Sequence, residues 1–273
     1  MHPNLDPDFA TELLQPPVAA DNKYTRGTVG FVTGSEQYPG AALLGINAAF
    51  ELGIGMVRYL GPKSVTDLIL SNRPEVVAGL DRSKSLVLGS GIADDNRDQL
   101  ANLQYAFGLG VPMVIDAGAL QLIKLEEMLA PAILTPHSLE AERLFAKLGH
   151  VRHRKDIEGN RVASAKELSE LTGQVVLLKG SITVIATPNS ETIESGPGST
   201  HLATAGTGDV LAGMIGTLVA KYLSHSKEID HSKLAEIALV ANQLHSEAAE
   251  VAASNGEFGA SAVCAAISDV VGD

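Results

Sequence analysis

The segment Ala205-Gly206-Thr207-Gly208-Asp209 sets a carboxylate behind a glycine-rich turn and ahead of the apolar run Val210-Leu211-Ala212-Gly213-Met214-Ile215. Glycines at 206 and 208 let backbone approach a ligand closely, and the unpaired N–H groups of a helix opening here form an anion site suited to phosphate. Asp209, in the first turn of that helix, is either an ordinary capping residue favoured by the helix dipole or a functional carboxylate. Spacing alone leaves both open.

Other segments could complete such a site. Lys179-Gly180-Ser181-Ile182-Thr183 puts a lysine at a strand end beside small polar residues, which suits a nucleotide or an ordinary polar turn. In Leu134-Thr135-Pro136-His137-Ser138-Leu139-Glu140 a strand leaves into a helix with Ser138 as its expected N-cap; His137 faces either a ligand crevice or plain solvent. Gly34-Ser35-Glu36-Gln37-Tyr38-Pro39-Gly40-Ala41 follows a strand and opens a helix, with Gly40 and Ala41 leaving space for a ring. Gly89-Ser90-Gly91 is a second glycine turn after a strand, and Asp116 either binds metal or caps a helix. No Gly-x-x-x-x-Gly-Lys-Ser/Thr loop, no Gly-x-Gly-x-x-Gly after the first strand, no zinc-spaced His/Cys cluster and no Gly-x-Ser-x-Gly elbow is present. A metal here would be magnesium shared with phosphates.

Positioning these segments requires alternating strands and helices. Short β-branched runs at 28–33, 55–60, 86–88, 111–115, 132–134, 175–178 and 183–186 alternate with helical stretches at 41–52, 94–108, 120–129, 139–148 and 164–172, the pattern of a mainly parallel sheet. Thr183–Thr187, Pro188-Asn189 and Thr192–Glu194 predict an antiparallel edge hairpin. Three Ala-rich helices follow, at 209–223, 231–253 and 261–270. Residues 1–27 read as a polar arm, and no linker divides the chain, so residues 1–273 are expected to form one domain.

Composition narrows the class further. Hydrophobic residues at 45% and charged residues at 19% are a globular balance. No apolar run reaches the roughly 20 residues that span a bilayer, so no membrane partner is expected. Met1–Asp8 carries acids and prolines where a secretory leader would be basic then apolar, and the expected location is the cytoplasm. Cys264, the one cysteine, sits in Ala262-Val263-Cys264-Ala265-Ala266 as a small buried hydrophobe. A net charge of −12 argues against a nucleic-acid surface. It leaves room for an anionic small molecule held by backbone N–H groups and local cations such as Lys23, Arg26 or Lys179.

Together, Gly30–Ser35 with Tyr38–Ala41, Leu134–His137, Val176–Gly180 and Leu202–Gly213 resemble the ADP/ATP-dependent (S)-NAD(P)H-hydrate dehydratase family of the ribokinase-like superfamily, over about residues 20–270. The resemblance implies a three-layer αβα sandwich. It also implies an enzyme that returns the S epimer of hydrated NADH or NADPH to the reduced cofactor, consuming ADP or ATP with Mg2+ through a phosphorylated hydrate. By it, Ala41, Gly91, His137 and Asp209 contact the hydrate, with Asp209 catalytic. Lys179, Gly180, Ser181, Ile182, Thr183, Gly206, Thr207 and Gly208 contact the nucleotide. A homo-oligomer, such as a tetramer, is also implied. The chain departs from the family pattern at Gly118, Ser138-Leu139, Ser199-Thr200-His201 and Asn22-Lys23-Tyr24. Within the same fold, a kinase for a hydroxyalkyl heterocycle, or an idle nucleotide-binding regulator, are the alternatives.

Overall fold

The computed structural model describes residues 7–122, 124, 128–189 and 191–272. Nine strands form one sheet: β1 (Thr28–Val32), β2 (Met56–Tyr59), β3 (Val77–Ala78), β4 (Ser85–Leu88), β5 (Met113–Ile115), β6 (Ala132–Leu134), β7 (Val175–Leu178), β8 (Thr183–Ala186) and β9 (Thr192–Ser195). Their order is β3-β2-β1-β4-β5-β6-β7-β8-β9, parallel from β3 to β7 and antiparallel across the last two pairings. The mainly parallel sheet with an antiparallel edge hairpin is therefore as expected.

The helices are α1 (Pro7–Leu14), α2 (Pro39–Glu51), α3 (Lys63–Asn72), α4 (Leu100–Phe107), α5 (Ala119–Leu122), α6 (Ser138–Lys147), α7 (Arg154–Gly159), α8 (Arg161–Thr172), α9 (Thr207–His225), α10 (His231–Ser254), α11 (Ala260–Ala265) and α12 (Ile267–Gly272). Central strands are buried at every position because both faces are covered. Val87, Val114, Ile133 and Leu177 point into the layer of α2, α9 and α10; their neighbours Leu86, Met113, Leu134 and Leu178 pack on the opposite side with Leu103, Leu144 and Leu168 of α4, α6 and α8. Cys264 is buried, as expected, and burial pushes its thiol up to about 12.

Several expectations need correction. Within the arm, Phe9, Ala10 and Leu13 repeat at helical spacing and form α1, whose Phe9 ring meets Tyr222 edge-on. Helices α3 and α7 went unpredicted because each buries little: Val65 and Ile69 in one, Ile157 in the other. The expected helix at 94–108 starts only at Leu100, since the acid-rich segment before it is loop. The helix expected at 261–270 is two, separated at Ala266. The expected 120–129 helix is seen as Ala119–Leu122, and residues 123 and 125–127 lie outside the described residues.

Candidate active site

Every chemistry-bearing segment singled out in the sequence except one pair of cations falls at the C-terminal ends of the parallel strands. Ligands of open α/β sheets bind there, at the point where strand order reverses. The order reverses between β1, which is followed by β2 on one side, and β4 on the other. Gly34 after β1 and Ser90 after β4 close this crevice through Gly34 N–H donating to Ser90 O at 2.7 Å. Lys23 and Arg26 are the exceptions: they precede β1, at the opposite end of the sheet, where Arg26 donates to Gly53 O at 2.6 Å.

In the crevice Ala41 and Gly91 come together. Gly91 has φ +68°, and a Cβ placed on it would lie 2.5 Å from Ala41 Cβ and 2.9 Å from Tyr38 O. Smallness at 41 is thus set by this close approach as well as by any ligand. One helical turn on, a Cβ on Gly45 would lie 3.4 Å from the backbone oxygen of Asp209, so α2 abuts the start of α9.

Gly206 is the N-cap of α9, in the left-handed region at φ +94°, and Asp209 is an acid in the first turn, the third residue of the helix. The N-cap position therefore belongs to Gly206 and not to Asp209. The first intrahelical bond is Val210 N–H to Gly206 O at 3.1 Å, which leaves the N–H groups of Gly208 and Asp209 without helical acceptors. Free N–H groups at a helix start, with the helix dipole, favour an anion there. Burial first, then the Asp116 charge, push the Asp209 carboxyl up to about 6, with Lys179 opposing and Glu140 adding to the rise. The two glycines of the turn have separable roles. Gly206→Ala would force a side chain into the left-handed region, 2.7 Å from Leu44 Cδ1, and should lower stability to urea by about 2 kcal/mol. Gly208→Ala meets only Lys179 Nζ, at an ordinary 3.7 Å, so it should keep or raise stability while weakening ADP binding by calorimetry.

Asp116, at the end of β5, neither caps a helix nor stands ready for metal. Its Oδ1 accepts from Lys179 Nζ and from Thr135 Oγ1, both at 2.8 Å, and its Oδ2 accepts from Ser90 Oγ at 2.8 Å. Burial alone would raise the carboxyl; the Lys179 ammonium and the three hydrogen bonds prevail and hold it below the usual value. Burial likewise opposes the charge on Lys179, but Asp116 and Glu140, whose Oε2 is 3.7 Å away, raise its pKa. Lys179 is thus a fixed positive charge between the acid cluster and the phosphate turn.

His137, not Ser138, caps α6: its Nδ1 accepts from the N–H groups of Leu139 and Glu140 at 3.1 and 3.2 Å, and Glu140 Oε2 accepts from His137 N–H at 2.7 Å. The Ser138 hydroxyl instead donates to Glu158 at 2.9 Å. With Nδ1 occupied by the cap, His137 Nε2 lies 3.5 Å from Glu140 Oε1, and the side chain is 50% exposed.

Beyond Lys179, a cavity of about 440 Å³ opens between the β7–β8 turn, the segment following β9, and α10. Lys179, Gly180, Ser181, Thr183, Thr207 and Gly208 line it, whereas Ile182 and Gly206 do not. Ile182 is 40% exposed. Arg161, which sequence reasoning missed, shapes the turn by donating to Leu178 O and Lys179 O at 2.8 Å and to Ile182 O at 3.1 Å. Glu140 was also missed as a site residue, although its capping position three residues after His137 is a readable signal. A cavity of about 240 Å³ between α1 and the end of α9 contains none of these groups.

A mainly parallel sheet with an edge hairpin, layered by helices on both faces, is a ribokinase-like fold. The family model for NAD(P)H-hydrate dehydratase matches residues 29–270, and the chain belongs to that family. It is 39% identical over 214 residues to the bifunctional NAD(P)H-hydrate repair enzyme Nnr of Mycobacterium leprae; the match takes in 75% of this chain and 43% of that protein, less than half its length. It is 32% identical over 219 residues to the ADP-dependent (S)-NAD(P)H-hydrate dehydratase of Neisseria meningitidis, covering 73% of this chain and 71% of that one. The crystal structure of the Bacillus subtilis ADP/ATP-dependent NAD(P)H-hydrate dehydratase with ATP and Mg2+ aligns with a TM-score of 0.78 at 27% identity, over 97% of this chain and 94% of that one. Among the described residues, no helix is long and apolar enough to cross a membrane.

Proposed function

We propose that the protein dehydrates the S epimer of hydrated NADH or NADPH, with ADP or ATP as phosphoryl donor. The observation that carries this is the Asp209 carboxylate, raised to about 6, at the mouth of an anion-binding helix start between a crevice and a nucleotide-sized cavity. A base poised near neutrality is what removal of a proton from a hydroxyl requires. Relatives sharing the fold and the family act on this substrate with these nucleotides.

In this reaction the hydrate lies in the crevice by Ala41, Gly91 and His137, and the nucleotide in the cavity by Lys179–Thr183. The hydroxyl at C6 of the hydrated ring attacks the terminal phosphorus while Asp209 takes its proton. The new O–P bond forms as the bond to the bridging oxygen breaks, and AMP leaves if the donor is ADP. The N–H groups of Gly208 and Asp209 and the Lys179 ammonium stabilise the charge on the phosphoryl oxygens. Hydroxide is a poor leaving group and phosphate a good one. The ring-nitrogen electron pair then expels phosphate from C6, and loss of a proton from C5 restores the double bond.

Among the described residues no group of three or more His, Cys, Asp or Glu could by itself hold a metal. Magnesium fits such a site, since it is typically bound by one or two carboxylates plus phosphates and water. Asp116 has both oxygens engaged, and Glu140 accepts from His137 N–H through Oε2 and lies 3.5 Å from His137 Nε2 through Oε1, so the ion would be held chiefly by the nucleotide phosphates and water. When bound, the ion neutralises charge on the transferred group.

The test is to incubate the protein with acid-hydrated NADH, ADP or ATP, and magnesium, and to follow the reduced-nicotinamide absorbance. Recovery of absorbance with release of inorganic phosphate is expected; a stable phosphoester without recovery would instead make this a kinase. Because the base must be ionised, kcat/KM should fall on the acid side with an apparent pKa near 6, well above that of an ordinary aspartate. An acid limb near pH 4 would contradict Asp209 as the base.

A further inference from the structure

Arg161 is the first residue of α8, at the positive end of a helix dipole, where a cation is locally disfavoured. Its hydrogen bonds all go to one turn, the β7–β8 connection: Nη2 donates to the carbonyls of Leu178 and Lys179, and Nε to that of Ile182. The other two carbonyls of the turn are filled as well. Gly180 O accepts from Thr183 Oγ1 at 3.4 Å, and Ser181 O accepts from Gly198 N–H at 2.9 Å. Among the described residues, no acceptor meets the N–H groups of Gly180, Ser181 and Ile182. A turn whose carbonyls are all taken, with three consecutive N–H groups open, offers a ligand donors only.

Peptide geometry gives those donors a direction. In a trans peptide the carbonyl and the N–H that follows it point to opposite sides, so with Lys179 O held on Arg161 the Gly180 N–H points away from Arg161. Gly180 lines the cavity and Arg161 does not, so the cavity lies on the side to which that N–H points. The guanidinium is seated tightly against the back of the turn. A Cβ on Gly180 would lie 2.4 Å from Arg161 Nη2 and 2.6 Å from its Cζ, which leaves room for glycine alone.

Resting on the nucleotide reading of this cavity, we infer that Arg161 is a positioning residue for the co-substrate: by holding the carbonyls of the β7–β8 turn on its outer side, it aims the turn's N–H groups at acceptor atoms of the nucleotide. The guanidinium acts in two ways. It fixes the peptide planes, and its charge on Lys179 O polarises the peptide that carries the Gly180 N–H, making that group a stronger donor. An ammonium has no planar fork with which to serve three carbonyls at once, so lysine is a poor substitute.

Arg161→Lys and Arg161→Ala should each weaken ADP binding in calorimetry by about tenfold or more. KM for ADP should rise by the same factor, while kcat at saturating ADP and KM for the hydrate stay within about threefold of wild type. An arginine that only braces the fold predicts the reverse, a lower urea midpoint with unchanged ADP affinity in the folded protein. Guanidinium ion at millimolar concentration, too dilute to unfold the chain, should restore part of the ADP affinity of Arg161→Ala and leave the wild type unaffected. Gly180→Ala drives the guanidinium off the turn and should cost as much affinity as Arg161→Ala, with no further loss in the double variant. In wild-type protein the Gly180 amide proton should move downfield when ADP is added, a readout that needs no variant. An unmoved Gly180 amide with ADP bound, fully additive losses in the double variant, or unchanged ADP affinity in folded Arg161→Ala would overturn the inference and leave the nucleotide site standing. Failure of the wild type to bind ADP would overturn the nucleotide reading itself.

Discussion

Asp209→Asn is expected to lower turnover of the hydrate by about 10³-fold while leaving ADP affinity within a few-fold of wild type, because general-base removal costs 10²–10⁴. The two effects separate because the proposed phosphate site is made of backbone groups. The N–H groups of Gly208 and Asp209 and the left-handed turn at Gly206 are unchanged when a carboxylate becomes an amide. The charge does change. Its pKa is raised from 3.8 to about 6 on folding, so the stability it contributes is fully present below pH 3.8 and is lost as the pH rises through 6. At pH 8 the ionised carboxylate is half-buried near Asp116, and the amide is not. The variant should accordingly be more stable than wild type at pH 8, on the order of 2 kcal/mol, with the gap closing toward pH 4. Lost activity with gained stability is the signature of a strained functional carboxylate. Turnover above about a tenth of wild type would remove Asp209 as the base.

This pairing shows how far local sequence could reach. The turn at 205–209 was readable because its glycines and the apolar run behind it are contiguous, and the strands were readable because residues buried on both faces form short, mostly apolar runs. Local pattern could not say that Asp209 lies near two other carboxylates, nor choose between its capping and functional roles. That choice needed the N-cap to be assigned to Gly206. Asp116 is the sharper case. Its partners Ser90, Thr135 and Lys179 are 26, 19 and 63 residues away, brought together because β4, β5, β6 and β7 are consecutive in the sheet. An aspartate after a short strand carries no local trace of that. His137 was singled out for the crevice, yet the capping bond was credited to Ser138, since serine is the commoner cap and only geometry shows a ring nitrogen doing the same work.

Lys179→Met tests whether that pair is structural as well as functional. Methionine keeps most of the lysine stem, so the packing of the β7–β8 turn is preserved and the charge is removed. Asp116 is then left buried with two hydroxyl donors and no cation. Removing one member of a buried ion pair destabilises by about 3–5 kcal/mol, and a loss in the lower part of that range is expected at pH 8, since the Lys179 side chain is 20% exposed. The pH dependence changes sign. In the wild type the Asp116 pKa is depressed, so its contribution to stability is present above the unfolded value and is lost as pH falls through the folded one. In the variant, burial without Lys179 raises that pKa, so the carboxyl takes up a proton on folding and the variant recovers stability, relative to wild type, as the pH falls. Urea unfolding from pH 8 to pH 5 should show the two curves converging; parallel curves would mean that Asp116 does not depend on Lys179. Asp116→Asn combined with Lys179→Met removes both charges and should restore most of the stability. Activity should not return, because the positive charge between the acid cluster and the phosphate turn is still missing. A double variant that is stable and fully active would reduce the lysine to a structural role.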